Sequence, residues 1–256
     1  MRGRAVGVAP APYSFVIPAL NEAETITSLL VTLRSAYPCA ELIVVDGGSS
    51  DATADLARPL CDQMLSSPPG RARQMNLGLQ HAGGEYVFFL HADTLPGASA
   101  EVLVSLLQGK PEWGFCRVKL SGDEWYFRLI SALINTRSTL TRVATGDQMQ
   151  FFRRKFLLAQ GGFADIPLME DVEVSKRLRH LSPPLIIPDP VTTSSRRWRE
   201  GGVIRTIIQM WLLRLAYFLG VSPARLRRHY YGAVSYTHLT LPTMRLRCSS
   251  RWSPYH

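Results

Sequence analysis

Twelve residues, Glu85–Pro96 (EYVFFLHADTLP), constrain this chain more than any other stretch. Tyr86 to Leu90 is a short, continuous apolar and aromatic run of the kind that forms a strand buried on both faces. It stops abruptly at His91-Ala92-Asp93-Thr94, before Pro96 and Gly97. In an open α/β sheet, ligands collect beyond the carboxyl ends of the strands. A carboxylate delivered there, with an imidazole two residues away, suits a metal carrying a phosphorylated ligand. A strand followed by a local Asp/Thr helix cap accounts for the same letters, so the rest of the chain has to decide.

Two strand-and-turn units precede this one. Ser14-Phe-Val-Ile-Pro18 reads as a strand, and Asn21 with Glu24 three residues on reads as the N-cap and capping box of a helix. Its apolar face is Ile26, Leu29, Leu30 and Leu33. Glu41–Val45 is a second buried strand, ending in Asp46-Gly-Gly-Ser-Ser-Asp51, after which residues 52–60 resume a helical pattern. Strands alternating with helices imply parallel pairing through right-handed crossovers. The glycine pair lets backbone approach a ligand closely, and the Asp46 carboxylate can accept from a base N–H or a ribose hydroxyl. Arg71 and Arg73, in the run RARQMNLG, could meet a diphosphate, whose oxygens a guanidinium binds bidentately. Exposed arginines on a helix would be the plainer account if that run stood alone.

At 256 residues the chain fits one large α/β domain, or one domain with an appendage, and can bury a sizeable core without staples. Its four cysteines show no CxxC pair or metal-ligand spacing, which fits ordinary thiols in a reducing cytosol. The net charge of +9 is unevenly spread: from Arg196 onward eleven arginines face one acid, Glu200, so that segment carries +10 and residues 1–195 carry −1. A basic end on a near-neutral body points to phosphate groups or an anionic membrane surface. No helix-turn-helix, zinc-finger or RNP-like pattern suggests nucleic acid. After Met1-Arg-Gly-Arg4, the short AVGVAPAP is too brief and proline-broken for a signal peptide, so a cytoplasmic protein is expected.

Taken in order, PALNEAETI at Pro18, VVDGGSSDAT at Asp46, RARQMNLG, LHADT at Asp93, GDQMQFF at Gly146 and PLMEDVEVSKRL at Glu170-Asp171 resemble the family-2 glycosyltransferases of the GT-A fold. The likeness runs from about residue 13 to 232. It implies a Rossmann-like three-layer α/β sandwich with a largely parallel mixed sheet, a UDP- or GDP-sugar donor, a divalent cation (Mn2+ or Mg2+), and transfer with inversion at the anomeric carbon. By the same match, Pro18 and Glu22 lie against the nucleotide, Asp46 takes the base or ribose, and Arg71 and Arg73 face the diphosphate. Asp93 stands at the last carboxylate of the metal-binding DxD motif. His91 replaces the first, and imidazole accommodates Mg2+ less readily than Mn2+, so metal dependence could be weak. Inversion needs a base for the acceptor hydroxyl, and Asp171, at the start of a predicted helix, is preferred over Glu170. Acids in a helix's first turn are also favoured for dipole reasons alone. Asp147 and Gln148 would line the acceptor side. The motif set resembles a bacterial subgroup linked by name to radical-SAM, selenium-domain and arsenosugar-type pathways, which implies a small-molecule acceptor.

Ser194-Ser-Arg-Arg197-Trp198 is similar to the QxxRW signature of processive members, with Ser194 in place of Gln, and the missing amide removes a main reason to expect a polysaccharide synthase. Arg197 and Trp198 are nonetheless candidates for the acceptor side. Val203–Leu219 is the longest apolar stretch, but Arg205, Gln209 and Arg214 interrupt it, and a spanning helix needs about 20 predominantly apolar positions. It reads as an amphipathic helix that lies peripherally on anionic lipid of the inner membrane, covers an acceptor pocket (a lipid-linked acceptor would favour the first), or packs on the domain. The run VSYTHLTLPT resembles translated sequencing adapter. The expected organisation is thus a transferase domain at 13–200, an amphipathic basic segment at 201–232 and a non-native tail at 233–256. Two rivals remain. One is a nucleotidyltransferase, whose glycine-rich basic first loop is replaced here by Pro-Ala-Leu-Asn-Glu. The other is a degenerate domain that binds a nucleotide sugar or a partner without turnover.

Overall fold

The computed structural model describes residues 12–196, 199 and 202–228. In chain order the elements are β1 (Tyr13–Ala19), α1 (Ile26–Ala36), β2 (Glu41–Asp46), α2 (Thr53–Ala57), β3 (Gln63–Ser66), α3 (Arg71–His81), β4 (Tyr86–Phe89), β5 (Thr94–Leu95), α4 (Ala100–Leu107), β6 (Trp113–Leu120), α5 (Trp125–Thr141), β7 (Phe151–Arg153), α6 (Arg154–Ala159), α7 (Glu170–Leu178), β8 (Leu185–Thr193) and α8 (Val203–Phe218). The two-residue period of the buried strands divides the core. Tyr13, Phe15 and Ile17 join Leu42, Val44 and Phe88 in one cluster with Ile26, Leu29, Leu30 and Leu33 of α1. Val16, Ile43, Val45, Val87 and Phe89 face the other way, onto Ala72, Met75 and Leu79 of α3 and Val174 and Leu178 of α7. β1, β2 and β4 are thus covered on both sides, giving helix, sheet and helix layers.

The sheet has the order β3-β2-β1-β4-β7-β6-β8-β5. Strands β1 to β4 run parallel to one another, while β7 is antiparallel to both β4 and β6. The result is a mixed, largely parallel sheet in an α/β fold. Parallel pairing brings the carboxyl ends of β1, β2 and β4 to one edge. The antiparallel return of β7 brings its amino end there too, with Phe89 N donating to Gln150 O at 2.9 Å. Residues 18–24, 46–51, 91–93 and 146–150 therefore converge.

By its sequence α1 should begin at Asn21. Instead Thr25 is the N-cap, and Asn21 adopts a left-handed backbone with φ 56°. Its Oδ1 accepts from Ser50 N and its own N–H donates to Ser49 Oγ, both at 2.9 Å. Two long-range partners on the β2–α2 loop outweigh the local cap, and Glu24 turns outward to Arg196. Helix α2 is also shorter than the pattern over residues 52–60 suggests. The apolar stretch after residue 202 does form α8. Its Val203 and Ile207 pack on Phe127 and Ile130 of α5, and Leu213 packs with Met169 and Leu226. Among the described residues no helix is long and apolar enough to cross a membrane. Arg197, Trp198 and the 233–256 segment lie outside the described residues.

Candidate active site

At the convergent edge, an open cleft is lined by Pro18, Arg71, Met75, Phe89, Leu90, His91, Gly146, Gln150, Glu170 and Asp171. Four elements and the 146–150 turn build it. Pro18 ends β1, His91 follows β4, Arg71 opens α3 and the two acids open α7.

The acids occupy different environments. Asp171 Oδ2 accepts from Gly146 N at 2.6 Å, and Oδ1 accepts from Val172 N at 2.7 Å. Glu170 is 4% exposed, and its nearest cation is Arg71, with Nε at 3.9 Å from Oε1. Burial pushes the Glu170 carboxyl above the usual range and neighbouring Asp171 adds to this, while Arg71 and His91 oppose it. His91 Nδ1 lies 3.3 Å from Asp147 Oδ1, and its Nε2 faces Gly146 so closely that a Cβ there would stand 2.5 Å away. No larger residue fits at Gly146 without moving the ring.

On the nucleotide side, Asp46 is buried and engaged by its own loop: Oδ2 accepts from Gly48 N and Ser49 N at 3.0 Å, and Oδ1 accepts from the Ser49 hydroxyl. Glu22 is half-buried, and burial raises its carboxyl. Thr25 opposes that shift, Asp93 adds to it, and Arg196 and His91 lower it, which groups these side chains at one corner. Asp93 is exposed, with Oδ1 accepting from Thr94 Oγ1 at 3.2 Å.

Two sequence candidates are placed away from the cleft. Arg73 forms an exposed pair with Asp165, its Nε at 3.1 and 3.0 Å from the two carboxylate oxygens. Gln148, expected on the acceptor side, is fully buried. Its Oε1 accepts from Ser138 Oγ at 2.7 Å and from Thr145 N at 3.2 Å, so it holds the 146–148 turn from inside. A one-residue offset in a 3-10 turn sends Asp147 outward and Gln148 inward.

Three contributors are not singled out by the sequence. Gln150 Nε2 donates to Asp171 O at 3.0 Å and Ser175 Oγ at 2.8 Å, fixing the start of α7. Gln74 Nε2 donates to Ala19 O and Val45 O, both at 2.8 Å, and ties the ends of β1 and β2 together. Arg137 of α5 is desolvated, which lowers its guanidinium, while Asp171 and Asp147 pull it the other way. Gln74 and Gln150 lie within quoted motifs, but Arg137 carries no local signal. Met149 and Met169, each just before a cleft residue, hold left-handed backbones with φ 42° and 70°. Strain of this kind persists where the surroundings over-determine a site.

Among the described residues no group of three or more His, Cys, Asp or Glu side chains gathers as a metal site. The donor chemistry does fit a hard cation shared with a ligand. Mg2+-type sites often use one or two carboxylates, with phosphate oxygens and waters supplying the rest, and Asp93 offers such a carboxylate.

The Glycosyl transferase family 2 model matches residues 14–163. A poly-beta-1,6-N-acetyl-D-glucosamine synthase of Staphylococcus epidermidis is 35% identical over 89 residues, covering 32% of this chain and 22% of that relative's length. Mannosyltransferase PcManGT from Pyrobaculum calidifontis, solved with GDP-Man and Mn2+, superposes with TM-score 0.59 at 23% identity over 90% of this chain and 67% of that one. S. aureus TarS 1-349 in complex with UDP gives TM-score 0.58 at 17% identity over 71% and 60% of the two chains. These superpositions establish the fold, and the match over residues 14–163 establishes that the chain belongs to glycosyl transferase family 2.

Proposed function

We propose that this glycosyltransferase moves a sugar from a UDP- or GDP-sugar to the hydroxyl of a small-molecule or lipid-linked acceptor, with inversion. One observation carries the reading. The Asp171 carboxylate is held by Gly146 N at 2.6 Å in a cleft shared with Arg71, at the edge where the parallel strands end. The acceptor oxygen attacks the anomeric carbon as the bond to the diphosphate breaks. Its proton passes to Asp171, and the nucleoside diphosphate leaves with the bonding pair. The two backbone donors on Asp171 fix its orientation and leave lone pairs for the incoming hydroxyl. Arg71 offers its guanidinium to the diphosphate, and Glu170 holds that side chain at the cleft wall. Glu22, Asp46 and the Gly47-Gly48 backbone flank the nucleotide. A divalent cation at Asp93, Mn2+ or Mg2+, would offset charge on the leaving group. The solved relatives with GDP-Man and Mn2+, and with UDP, support this donor class by analogy.

Melting temperatures with UDP-, GDP- and TDP-sugars, with and without Mn2+, identify the donor. A ligand at a hundred times its Kd adds about 2.7 kcal/mol. With that donor, Asp171→Asn is expected to abolish transfer and keep the thermal shift; undiminished transfer would remove Asp171 from the mechanism. A specific observation favours the degenerate-domain rival: the imidazole in the metal motif is engaged by Asp147 rather than open. Donor binding without any turnover in the unsubstituted protein would decide for it.

A further inference from the structure

Helix α8 buries one face on the domain and leaves the other uncovered. Ile208, Trp211, Leu212, Leu215, Phe218 and Leu219 are each more than half exposed, Trp211 and Phe218 at 70% and 76%. Their spacing of three and four residues puts them on one face over three turns, a row of about 17 Å at 1.5 Å per residue. α5, which meets the start of α8 through Phe127 and Ile130 against Val203 and Ile207, also exposes Trp125, Leu129 and Leu133. Monomeric proteins rarely leave large contiguous apolar surface to water.

The charge on this segment selects what covers it. Between residues 202 and 228 there are five arginines, Arg205, Arg214, Arg225, Arg227 and Arg228, and no acid. A second copy packed row to row would bring like charges together. An anionic bilayer would receive both the apolar row and the exposed Arg205, Arg225, Arg227 and Arg228. Exposed tryptophans beside arginines are also the composition that settles at the headgroup level.

We propose that the α8 row seats the protein on the surface of an anionic lipid bilayer, with Arg225 and Arg228 against the headgroups. This is independent of which donor and acceptor the cleft takes. The full chain should sediment with phosphatidylglycerol-containing vesicles and not with pure phosphatidylcholine, and brominated lipid should quench its tryptophan fluorescence. Trp211→Glu with Leu215→Glu should abolish sedimentation while leaving the melting temperature and the donor-induced thermal shift unchanged. Since a basic residue near such a surface contributes about fivefold, Arg225→Gln with Arg228→Gln should weaken binding roughly 25-fold without changing the fold. Equal binding to neutral vesicles, or no binding to either, would overturn the proposal. So would a concentration-dependent dimer that the Trp211/Leu215 variant dissolves, which would assign the row to a second copy. Loss of the donor shift in an otherwise vesicle-binding protein would count against the transferase reading alone.

Discussion

Gly146→Ala tests whether the cleft geometry matters at the scale of a single methyl group. The new Cβ would stand 2.5 Å from His91 Nε2 and 2.8 Å from Cε1, but 3.5 Å from Asp171 Oδ2. Asp171 can therefore stay, and the ring must give way by roughly 1 Å to reach ordinary contact. It has somewhere to go, because the partner of Nδ1, Asp147, is half exposed. The stability cost should sit at the low end of the 1–3 kcal/mol typical of overpacking, about 1 kcal/mol, or about 2–4 °C in Tm. The effect on turnover should be larger, since a misplacement of about 1 Å in a reacting site can cost on the order of 100-fold. Calorimetry gives the first quantity, and nucleotide release from the donor in the presence of acceptor gives the second. Gly78→Ala is the control. Its Cβ would meet Val16 Cγ1 at 2.3 Å inside the α3–β1 seam, so it should lose stability without losing activity per folded molecule. Wild-type turnover in Gly146→Ala, or equal losses of turnover in both variants, would refute the assignment of the cleft.

Gln74→Leu removes a donor from Val45 O, while Ala19 O keeps Gly47 N at 2.9 Å. One buried carbonyl losing that donor should cost about 1–3 kcal/mol in urea denaturation, and a loss below about 0.5 kcal/mol would show that β1 and β2 do not depend on this tie. The raised Glu170 carboxyl means that it takes up a proton more readily in the folded than in the unfolded chain. That contribution is fully present below the ordinary carboxylate range and is lost as pH rises through the raised value. Glu170→Gln fixes a neutral side chain, so its Tm relative to the unsubstituted protein should rise between pH 4 and pH 8, and a difference that stays flat with pH would contradict the burial argument.

Local patterns made the strands legible. Tyr86 to Leu90 and Leu42 to Val45 are apolar throughout because both faces are covered, and no turn residue interrupts them. The polar letters at their ends follow from the same topology, since parallel strands place their carboxyl ends at one edge. What the sequence leaves undetermined depends on partners far along the chain. Asn21 is a sound cap residue, yet Ser49 and Ser50, nearly thirty positions away, claim it. Arg73 is as suited to phosphate as Arg71, but Asp165 pairs with it across 92 positions. Gln148 and Asp147 are adjacent polar residues in one motif, and only the turn's anchoring by Ser138 shows which points inward. The two-residue β5, three-residue β7 and four-residue β3 offer too few positions for a period to register.

The same limit bears on the two acids. Glu170 and Asp171 differ by one position at the start of α7, and consecutive helical residues project about 100° apart, so they cannot share one surrounding. Sequence alone ranks them by family match. The fold adds a physical ground. Glu170 is withdrawn from solvent, its carboxyl is raised by burial, and its nearest cation is Arg71 at 3.9 Å. A group so placed is suited to holding Arg71 in position and poorly suited to meeting an acceptor that arrives from solvent. Asp171 is half-buried at the cleft and is oriented by backbone N–H groups, which do not titrate and do not swing away. In the mechanism proposed above, the adjacent pair divides into an acid that orients Arg71 and an acid that accepts the proton, and the different surroundings of the two side chains, once α7 is anchored by Gln150, are the ground for that proposal.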